Sequence, residues 1–444
     1  MDQQKYTSLV DKQRKAILDT ERYLWRHPES GFKEWNTHKY LADIFKNAGY
    51  ELTEAGDIPG FYTDLDTGRP GPKILIMAEM DALTAPNHPE AVNGCAHACG
   101  HHTQCATLVG IALALKEPGA LDGLCGSIRL MAVPAEELIE VEFRNELRRK
   151  GVIRYLGGKV EFIHRGYMDG VDIAYLFHAR SDAPYIFDFN DTNGCMAKEI
   201  TYEGKAAHAG GSPHRGINAL YAANMGLNAI NALRETFPDD DHVRVHPVLN
   251  VGDVAVNIIP PRASISTYVR GATMEVMDRV NRQVNRALAA GALALGAKVH
   301  VLDQPGYAPL INDRSLQELA EKTLKDLVGP EKVGHVPFSC GSTDMGDVSC
   351  IIRTIQPHVA GCSGVAHGDD YRVSDPETVC VTSAKGQVLL AVALLEKDAA
   401  EAKKILAGPP PRYASKEDYF RAIERFAAEW DLVEYTEDGA SILF

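Results

Sequence analysis

The sequence lacks an excess of positive charge, an apolar run of bilayer length and a cysteine-rich framework. Its 46 Lys and Arg against 60 Asp and Glu give a formal net charge of −14, which argues against a nucleic-acid partner. Apolar runs such as residues 389–395 are too short to span a bilayer. Nine cysteines, spread over 444 residues, favour reduced thiols over disulfides. With a polar first segment lacking a signal-like apolar region, these absences predict a cytoplasmic protein without membrane partners.

The length of the chain predicts two domains, because one hydrophobic core stops growing below this size. Three apolar runs, at residues 73–81, 127–137 and 172–180, are typical of buried parallel strands. A helix of small and apolar residues is predicted over 103–117, between the first two strands. This alternation of strand and helix predicts an α/β fold with a mixed, mostly parallel sheet between layers of helices.

The pattern changes near residue 193, where strand and helix signals follow the order βαββαβ. That order is typical of a ferredoxin-like domain, so we expect an inserted domain over 193–307. The first domain is then discontinuous, comprising residues 1–192 and 308–408. Residues 409–444 are predicted to be a C-terminal helical extension. Within it, a helix over 415–430, capped by Ser415, is expected to dock on the first domain; the alternative is a helix that covers the mouth of the active site or the dimer seam.

The stretch "HACGHH" at residues 97–102 places three histidines and a cysteine within six positions. Singly, each would be read as a packed thiol or a hydrated imidazole. Together they indicate a transition-metal site, because thiolate and imidazole suit zinc and related ions. Three predicted strands also end in polar residues, which are Asp81, the Glu136–Glu137 pair and His178. Because open α/β sheets bind ligands at the carboxyl ends of their strands, we expect these segments to converge.

Five residues offer ligands of nitrogen, oxygen and sulfur type: Cys99, His101, Glu137, His178 and His367. Such a set, with one member able to bridge, suits a pair of divalent ions that activates water for hydrolysis. Glu136 adjoins a ligand without being needed as one, so we expect it to be the general base. Asp81 is expected to orient a ligand.

Several motifs in order along residues 20–400 resemble one superfamily: "LWRHPESGFKE", "HACGHH", "PAEE", "GKAAHAGGSPHRGINAL", "NIIP" and "GSTDMGDVS". This is the aminoacylase and carboxypeptidase G superfamily of metallo-amidohydrolases. The likeness is greatest to the branch of aminobenzoyl-glutamate hydrolases, indole-acetyl amino acid hydrolases and beta-alanyl-lysine dipeptidases. Combined, the motifs are highly specific, whereas "PAEE" alone would be weak.

The resemblance implies a zinc-peptidase-like catalytic domain and a ferredoxin-like lid that forms a homodimer. It gives the five ligands, the base Glu136 and the supporting Asp81 the same roles. His208 matches a histidine that polarises the scissile carbonyl, in many relatives from the partner subunit. Asn257 and Arg270 match lid residues that hold the carboxylate of the substrate.

Three features depart from the pattern of the resembled family. His102 and Gln104 occupy two polar positions after "CGH", where an extra histidine could compete for metal or alter the pocket wall. Glu79 stands where many relatives have the first aspartate of an Asp-Met-Asp-Ala-Leu run. The segment "EELIEVEFRNELRRKG", residues 136–151, is unusually charged; it is read as a solvated helix, with a role at the substrate rim as the alternative.

The expected function is hydrolysis of the amide bond of an N-acyl or N-aroyl amino acid or a dipeptide. A non-catalytic binding module with the same fold is the alternative, but the complete base and ligand set favours an enzyme. A dinuclear phosphatase is disfavoured, because a cysteine thiolate is unusual for that class. Two ions per subunit are expected, zinc or manganese, with cobalt or nickel as alternatives. The sequence leaves the acyl group and the amino acid open.

Overall fold

Residues 2–437 and 439–444 are described by the computed structural model, in which the chain divides into two units. Unit 1 comprises Met1–Asp191, Ile311–Phe338 and Asp347–Lys416. Unit 2 comprises Thr192–Leu310, Ser339–Gly346 and Glu417–Phe444. Each unit has its own cluster of buried apolar side chains.

The regular elements of the described residues are numbered here in chain order. The α-helices are α1 (Gln3–Lys12), α2 (Arg14–Trp25), α3 (Trp35–Asn47), α4 (His101–Lys116), α5 (Val141–Arg149), α6 (Gly158–His164), α7 (Ala219–Leu233), α8 (Met274–Leu295), α9 (Arg314–Val328), α10 (Met345–Ser349), α11 (Ser383–Leu406) and α12 (Lys416–Ile423). The strands are β1 (Thr53–Glu54), β2 (Phe61–Asp66), β3 (Lys73–Glu79), β4 (Leu83–Thr84), β5 (Cys95–Ala96), β6 (Ser127–Val133), β7 (Ile173–Tyr175), β8 (His178–Ser181), β9 (Phe187–Phe189), β10 (Gly194–Glu203), β11 (Arg244–Val245), β12 (Val248–Asn250), β13 (Arg262–Gly271), β14 (Lys298–Tyr307), β15 (Val333–His335), β16 (Arg353–Ile355), β17 (His358–Ser363), β18 (Arg372–Val373), β19 (Ala428–Asp431), β20 (Val433–Thr436) and β21 (Gly439–Ile442).

The main sheet of unit 1 has the strand order β1-β2-β6-β3-β7-β16. Strands β6, β3, β7 and β16 run parallel, whereas β1 and β2 form an antiparallel edge. In β3 every residue after Lys73 is buried, as expected for a strand with both faces covered. The α/β class with a mostly parallel sheet is therefore confirmed.

The run at residues 172–180 forms two strands rather than the single predicted one. Strand β7 pairs with β3 in the main sheet, whereas β8 pairs with β17 in a second sheet that also contains β9, β15 and β18. The chain therefore changes sheets at Leu176–Phe177, between the two strands. The backbone N–H of His178 donates to the Pro357 carbonyl (2.9 Å), which starts the new pairing.

Helix α11 lies in the core of unit 1, and most of its residues as far as Leu395 are buried. Among the described residues one stretch, Glu377–Leu406, matches a membrane span in length and composition. The match arises because helix precedes residues 389–395, whereas Glu396–Ala399 leave the helical conformation directly after them. However, 83% of its apolar window is buried inside the protein, as in a core helix.

Unit 2 contains an antiparallel sheet with α7 and α8 between its strands in sequence. The four predicted strand signals correspond, in chain order, to β10, β11, β13 and β14. Their order in the sheet is β11-β13-β10-β14, which is that of the predicted ferredoxin-like motif. The second strand signal of the βαββαβ order, at residues 243–252, predicted one strand, but it divides into β11 and β12, both paired with β13. Pro247 lies between them, and proline has no N–H to donate to a ladder.

The prediction of a helical extension over 409–444 is wrong for most of that segment. Helix α12 ends at Ile423, and β19 then pairs antiparallel with β14 at the edge of the unit 2 sheet. Residues Glu417–Phe444 belong to unit 2, so docking on the first domain is also wrong. The helical spacing was misleading because Trp430 and Leu432 pack on the unit 2 core from a strand and the bend after it.

Candidate active site

Three neighbouring parallel strands of unit 1 bring the predicted polar residues to one edge of the sheet. Strand β3 lies between β6 and β7, so Asp81, the Glu136–Glu137 pair and His178 follow adjacent carboxyl ends. Within unit 1, three groups of donor atoms form there, each with its atoms within 4.8 Å of one another. They are Cys99–His101–His178, Cys99–Glu137–His367 and His101–Glu136–Glu137. The structure thus brings together the five predicted ligands and the predicted base.

Gly100 allows the Cys99 loop to turn directly into α4. Its φ of +88° lies in the left-handed region, and a β-carbon there would lie 2.4 Å from the Tyr371 hydroxyl and 2.8 Å from Ala179 Cβ. Only glycine fits this position without moving its neighbours. Cys99 therefore precedes the first turn of α4, and His101 starts the helix.

Hydrogen bonds at Nδ1 orient two of the imidazoles. His101 Nδ1 lies 3.0 Å from both the backbone oxygen and Oδ1 of Asp81, and Asp81 Oδ2 accepts the backbone N–H of Glu137 at 2.8 Å. His178 Nδ1 lies 2.7 Å from the Ala179 carbonyl. In both rings Nδ1–H donates, which leaves Nε2 as the electron-pair donor for a metal. Asp81 thus has the geometry of the predicted orienting residue.

Cys99 belongs to two of the three donor groups. Its Sγ lies 3.6 Å from His178 Nε2, and it also groups with Glu137 and His367. Burial, with the charge of Glu137 adding to it, raises the pKa of the Cys99 thiol well above its usual range. A metal ligand must be the thiolate, so a bound cation would replace the proton of this thiol.

His367 reaches the cluster from a loop in an uncommon backbone conformation. Its φ is +65°, and its backbone N–H donates to the Ala98 carbonyl at 2.9 Å. Its Nε2 lies 3.2 Å from Glu137 Oε1. Strained non-glycine residues of this kind concentrate at functional sites, where the surrounding structure holds them.

Two buried ligand atoms make no hydrogen bond among the described residues, namely His101 Nε2 and Glu137 Oε1. Glu79 Oε2 lies 3.2 Å from His101 Nε2, but the geometry does not satisfy a hydrogen bond. Buried polar atoms are normally satisfied, so these two need a partner of another kind. Thiol, imidazole and carboxylate donors that converge in this way fit divalent transition metals.

A buried ion pair beside the ligands was not predicted from the sequence. The Glu79 carboxylate contacts Lys159 Nζ, and both side chains are fully buried. Gln104 holds the same glutamate, because its Nε2 donates to Glu79 Oε2 (2.7 Å) and its Oε1 accepts the Glu79 N–H (3.1 Å). Burial alone would raise the pKa of Glu79, but the charges of Lys159, His101 and His178 hold this pKa below its usual range. The sequence showed Glu79 and Gln104 as departures from the family pattern, but no motif indicated a role for Lys159.

His102 lies among residues of α2, and none of the three donor groups contains it. Its Nε2 is 3.5 Å from Glu21 Oε1, and its ring centroid is 5.2 Å from that of Trp25 and 4.8 Å from that of His97. Of the two readings of His102, competition for metal therefore has no support from its contacts.

The three predicted lid residues all lie in unit 2. His208 and Asn257 are neighbours, because the Ala209 N–H donates to the Asn257 carbonyl (2.9 Å) and His208 forms a bridge with Ile258. His208 Nδ1 accepts N–H groups of the following glycines at 3.2 and 2.9 Å, so the neutral ring carries its proton on Nε2. Arg270 lies on β13 and donates to Ser342 Oγ at 2.8 Å. His208 thus offers its Nε2–H as a hydrogen-bond donor, and Arg270 offers a guanidinium group.

An open parallel sheet that presents thiol, imidazole and carboxylate donors at one edge is the arrangement of a metal-dependent hydrolase. The chain belongs to peptidase family M20/M25/M40, whose family model matches residues 75–393. The predicted superfamily is thereby confirmed, and with it the assignment as a hydrolase.

Relatives with named activities match along most of the chain. The human Xaa-Arg dipeptidase is 26% identical over 387 residues, which cover 82% of this chain and 80% of that protein. A p-aminobenzoyl-glutamate hydrolase subunit from Escherichia coli is 26% identical over 344 residues, covering 74% of this chain and 64% of that one. The second belongs to a class named in the predicted branch, and the first is a dipeptidase, as is another class of that branch.

A solved structure has the same fold. It is a dinuclear metal-binding peptidase of the M20 family from Bacillus subtilis, with a TM-score of 0.67 and 21% sequence identity. The match covers 87% of this chain and 99% of that one. At this identity the likeness concerns the fold alone.

Proposed function

We propose that this hydrolase cleaves the amide bond of an N-acyl or N-aroyl amino acid or a dipeptide, with two divalent ions held by the donor cluster. The observation that carries the proposal is the sharing of Cys99 between two donor groups. One group contains His101 and His178, and the other contains Glu137 and His367, so each ion would have its own ligands and a common thiolate. When bound, such a pair of ions lowers the pKa of water and polarises the scissile carbonyl.

Glu136 is the proposed general base. It is 6% exposed, and its Oε2 lies 3.9 Å from His101 Nε2, so its carboxylate is next to the ligands without completing either of the two Cys99 groups. A base in this position accepts a proton from the attacking water and returns it to the leaving amine.

Unit 2 would supply recognition of the substrate. The Arg270 guanidinium suits the carboxylate of an amino acid product, and Asn257 adds an amide donor beside His208. His208 Nε2–H is the proposed donor to the scissile carbonyl oxygen, where negative charge develops. The human relative named for Xaa-Arg dipeptides and the bacterial relative named for an aroyl-glutamate support a substrate that ends in an amino acid.

The proposal is tested by measuring amino acid release from a panel of substrates. The panel contains N-acetyl, N-aminobenzoyl and indole-acetyl amino acids and dipeptides, each assayed with zinc, manganese, cobalt or nickel. We expect release from at least one class, and its loss when a chelator removes the metal. Release that persists in the chelated protein, or none with any metal, would contradict the proposal.

The homodimer is proposed to form through unit 2. Tyr221 and Met225 lie four residues apart on α7 and are 60% and 43% exposed, and Val248 on β12 is 59% exposed. Exposed apolar side chains on a helix and on a short strand of the same unit suit pairing with a second copy.

Light scattering should therefore give about twice 48.5 kDa. Tyr221→Asp combined with Met225→Asp should shift the protein towards the monomer, because a charge would be buried at the interface. Ile311→Asp, at a residue of unit 1 that is 53% exposed, is the control and should stay dimeric. A wild-type monomer at micromolar concentration would contradict the proposal.

A cytoplasmic location is also proposed. All nine cysteines are free thiols, and Cys99 in particular must stay reduced to serve as a ligand. Protein purified from the cytoplasmic fraction and then unfolded should therefore show nine cysteine thiols that react with a thiol reagent.

A further inference from the structure

Strained backbone surrounds the turn that carries Glu136 and Glu137. Three non-glycine residues of this region have positive φ: Phe32 at +60°, Ala135 at +56° and Glu140 at +50°. Such conformations are unfavourable and persist only where neighbouring contacts hold them. The contacts that hold Ala135 therefore also determine where the two glutamates after it lie.

One of these contacts comes from Glu34. Its side chain is fully buried, and its Oε1 accepts the Ala135 N–H at 2.8 Å. The turn is thus held at its N–H by the early "GFKE" motif. Its Ala135 and Glu137 carbonyls accept the N–H groups of Gly158 (3.1 Å) and Ile139 (2.8 Å), and each oxygen can accept a second donor.

Arg144 supplies a second, charged donor to these carbonyls. It lies on α5, within the charged segment that the sequence indicated to be a solvated helix, yet it is 0% exposed. Its Nη2 donates to the Glu137 carbonyl, and its Nη1 donates to the carbonyls of Leu156 (2.6 Å) and Ala135 (3.5 Å). One guanidinium therefore binds the carbonyl groups on both sides of Glu136.

The chain makes room for this side chain. A β-carbon on Gly31 would lie 2.5 Å from Arg144 Nη2 and 2.9 Å from Ala135 Cβ, so only glycine allows the close approach. The Phe32 ring lies under the guanidinium, with its centroid 5.5 Å from Cζ, within the range of a cation–π contact. A solvated helix would need neither feature.

We infer that Arg144 is a positioning residue, which holds the Ala135–Glu137 turn so that Glu136 meets the substrate water and Glu137 meets the metal. The inference rests on the proposed function. A rigid planar fork can bind several carbonyl groups in fixed directions, whereas a lysine ammonium presents a single rotating centre. Arg144→Lys keeps the buried charge and loses that geometry.

For Arg144→Lys with saturating Mn²⁺, we expect kcat to fall about 10- to 100-fold at unchanged KM, because a misplacement of about 1 Å costs this much. The Kd for Mn²⁺, measured from the electron paramagnetic resonance signal of the free ion, should rise about 10- to 100-fold. This is the usual effect of losing a residue that holds a metal ligand in place. Arg149→Lys is the matched control. Arg149 lies on the same helix, is exposed and, among the described residues, has its one ion pair with Glu142, so both values should stay unchanged.

A merely structural role would lower the melting temperature of Arg144→Lys and leave kcat and the Mn²⁺ Kd intact well below that temperature. This result would overturn the inference, as would a global failure to fold of both Arg144→Lys and Arg144→Gln, judged by circular dichroism. Glu136→Gln is measured alongside. If its turnover is normal, the proposed role of Glu136 as the base fails, and the positioning role with it; if its turnover is lost while Arg144→Lys is normal, only the positioning role fails.

Discussion

Glu136→Gln should reduce kcat by about 10²–10⁴-fold, which is the usual contribution of a general base. Glutamine keeps the size and hydrogen bonding of the side chain, but it cannot accept the proton of the attacking water. KM should stay close to the wild-type value. The metal content, measured by elemental analysis, should also stay unchanged, because neither Cys99-containing donor group includes Glu136.

Glu137→Gln is the matched comparison, since the two residues are adjacent and the substitution is the same. Glu137 Oε1 is buried and groups with Cys99 and His367, so this variant should lose metal together with activity. The opposite pattern, with an empty site in Glu136→Gln and a full one in Glu137→Gln, would exchange the two roles. Near-normal turnover of Glu136→Gln would eliminate it as the base.

Cys99→Ser should weaken the binding of both ions, because Cys99 is common to two donor groups. A serine hydroxyl is a poor ligand beside a thiolate, and it keeps its proton at neutral pH. The metal affinity should fall by more than the 10- to 100-fold that is typical when a residue hydrogen-bonded to a ligand is removed. Activity should fall with metal content, as measured by elemental analysis after desalting.

Cys95→Ser is the control for this change. Cys95 lies four residues earlier, is partly exposed and belongs to none of the donor groups of the described residues. Its metal content and activity should equal those of the wild type. Full metal content and activity in Cys99→Ser would refute the ligand set.

The sequence predicted the cluster because its members lie at positions that topology determines. Asp81, Glu137 and His178 follow apolar runs, and the carboxyl ends of neighbouring parallel strands meet at one edge. The ferredoxin-like unit was predictable for a related reason, since alternating strand and helix signals repeat in a known order.

Buried charge was not predictable in the same way. Arg144 lies on a helix whose sequence resembles a solvent-facing segment, and its partners are backbone carbonyls 7 to 12 residues away, before and after that helix. Lys159 meets Glu79 across 80 residues, and no local spacing encodes that contact. The prediction for the tail was wrong because pairing with the free edge of β14 outweighed the helical spacing of residues 415–430.

The central claim is that one cluster in unit 1 holds two divalent ions and hydrolyses an amide. Its most direct test is a titration of the metal-free protein with Mn²⁺, in which bound ions per chain and amino acid release from the best panel substrate are recorded together. We predict no release without metal, and a rise that levels off at about two ions per chain. Full activity with one ion, or release by the metal-free protein, would contradict the account.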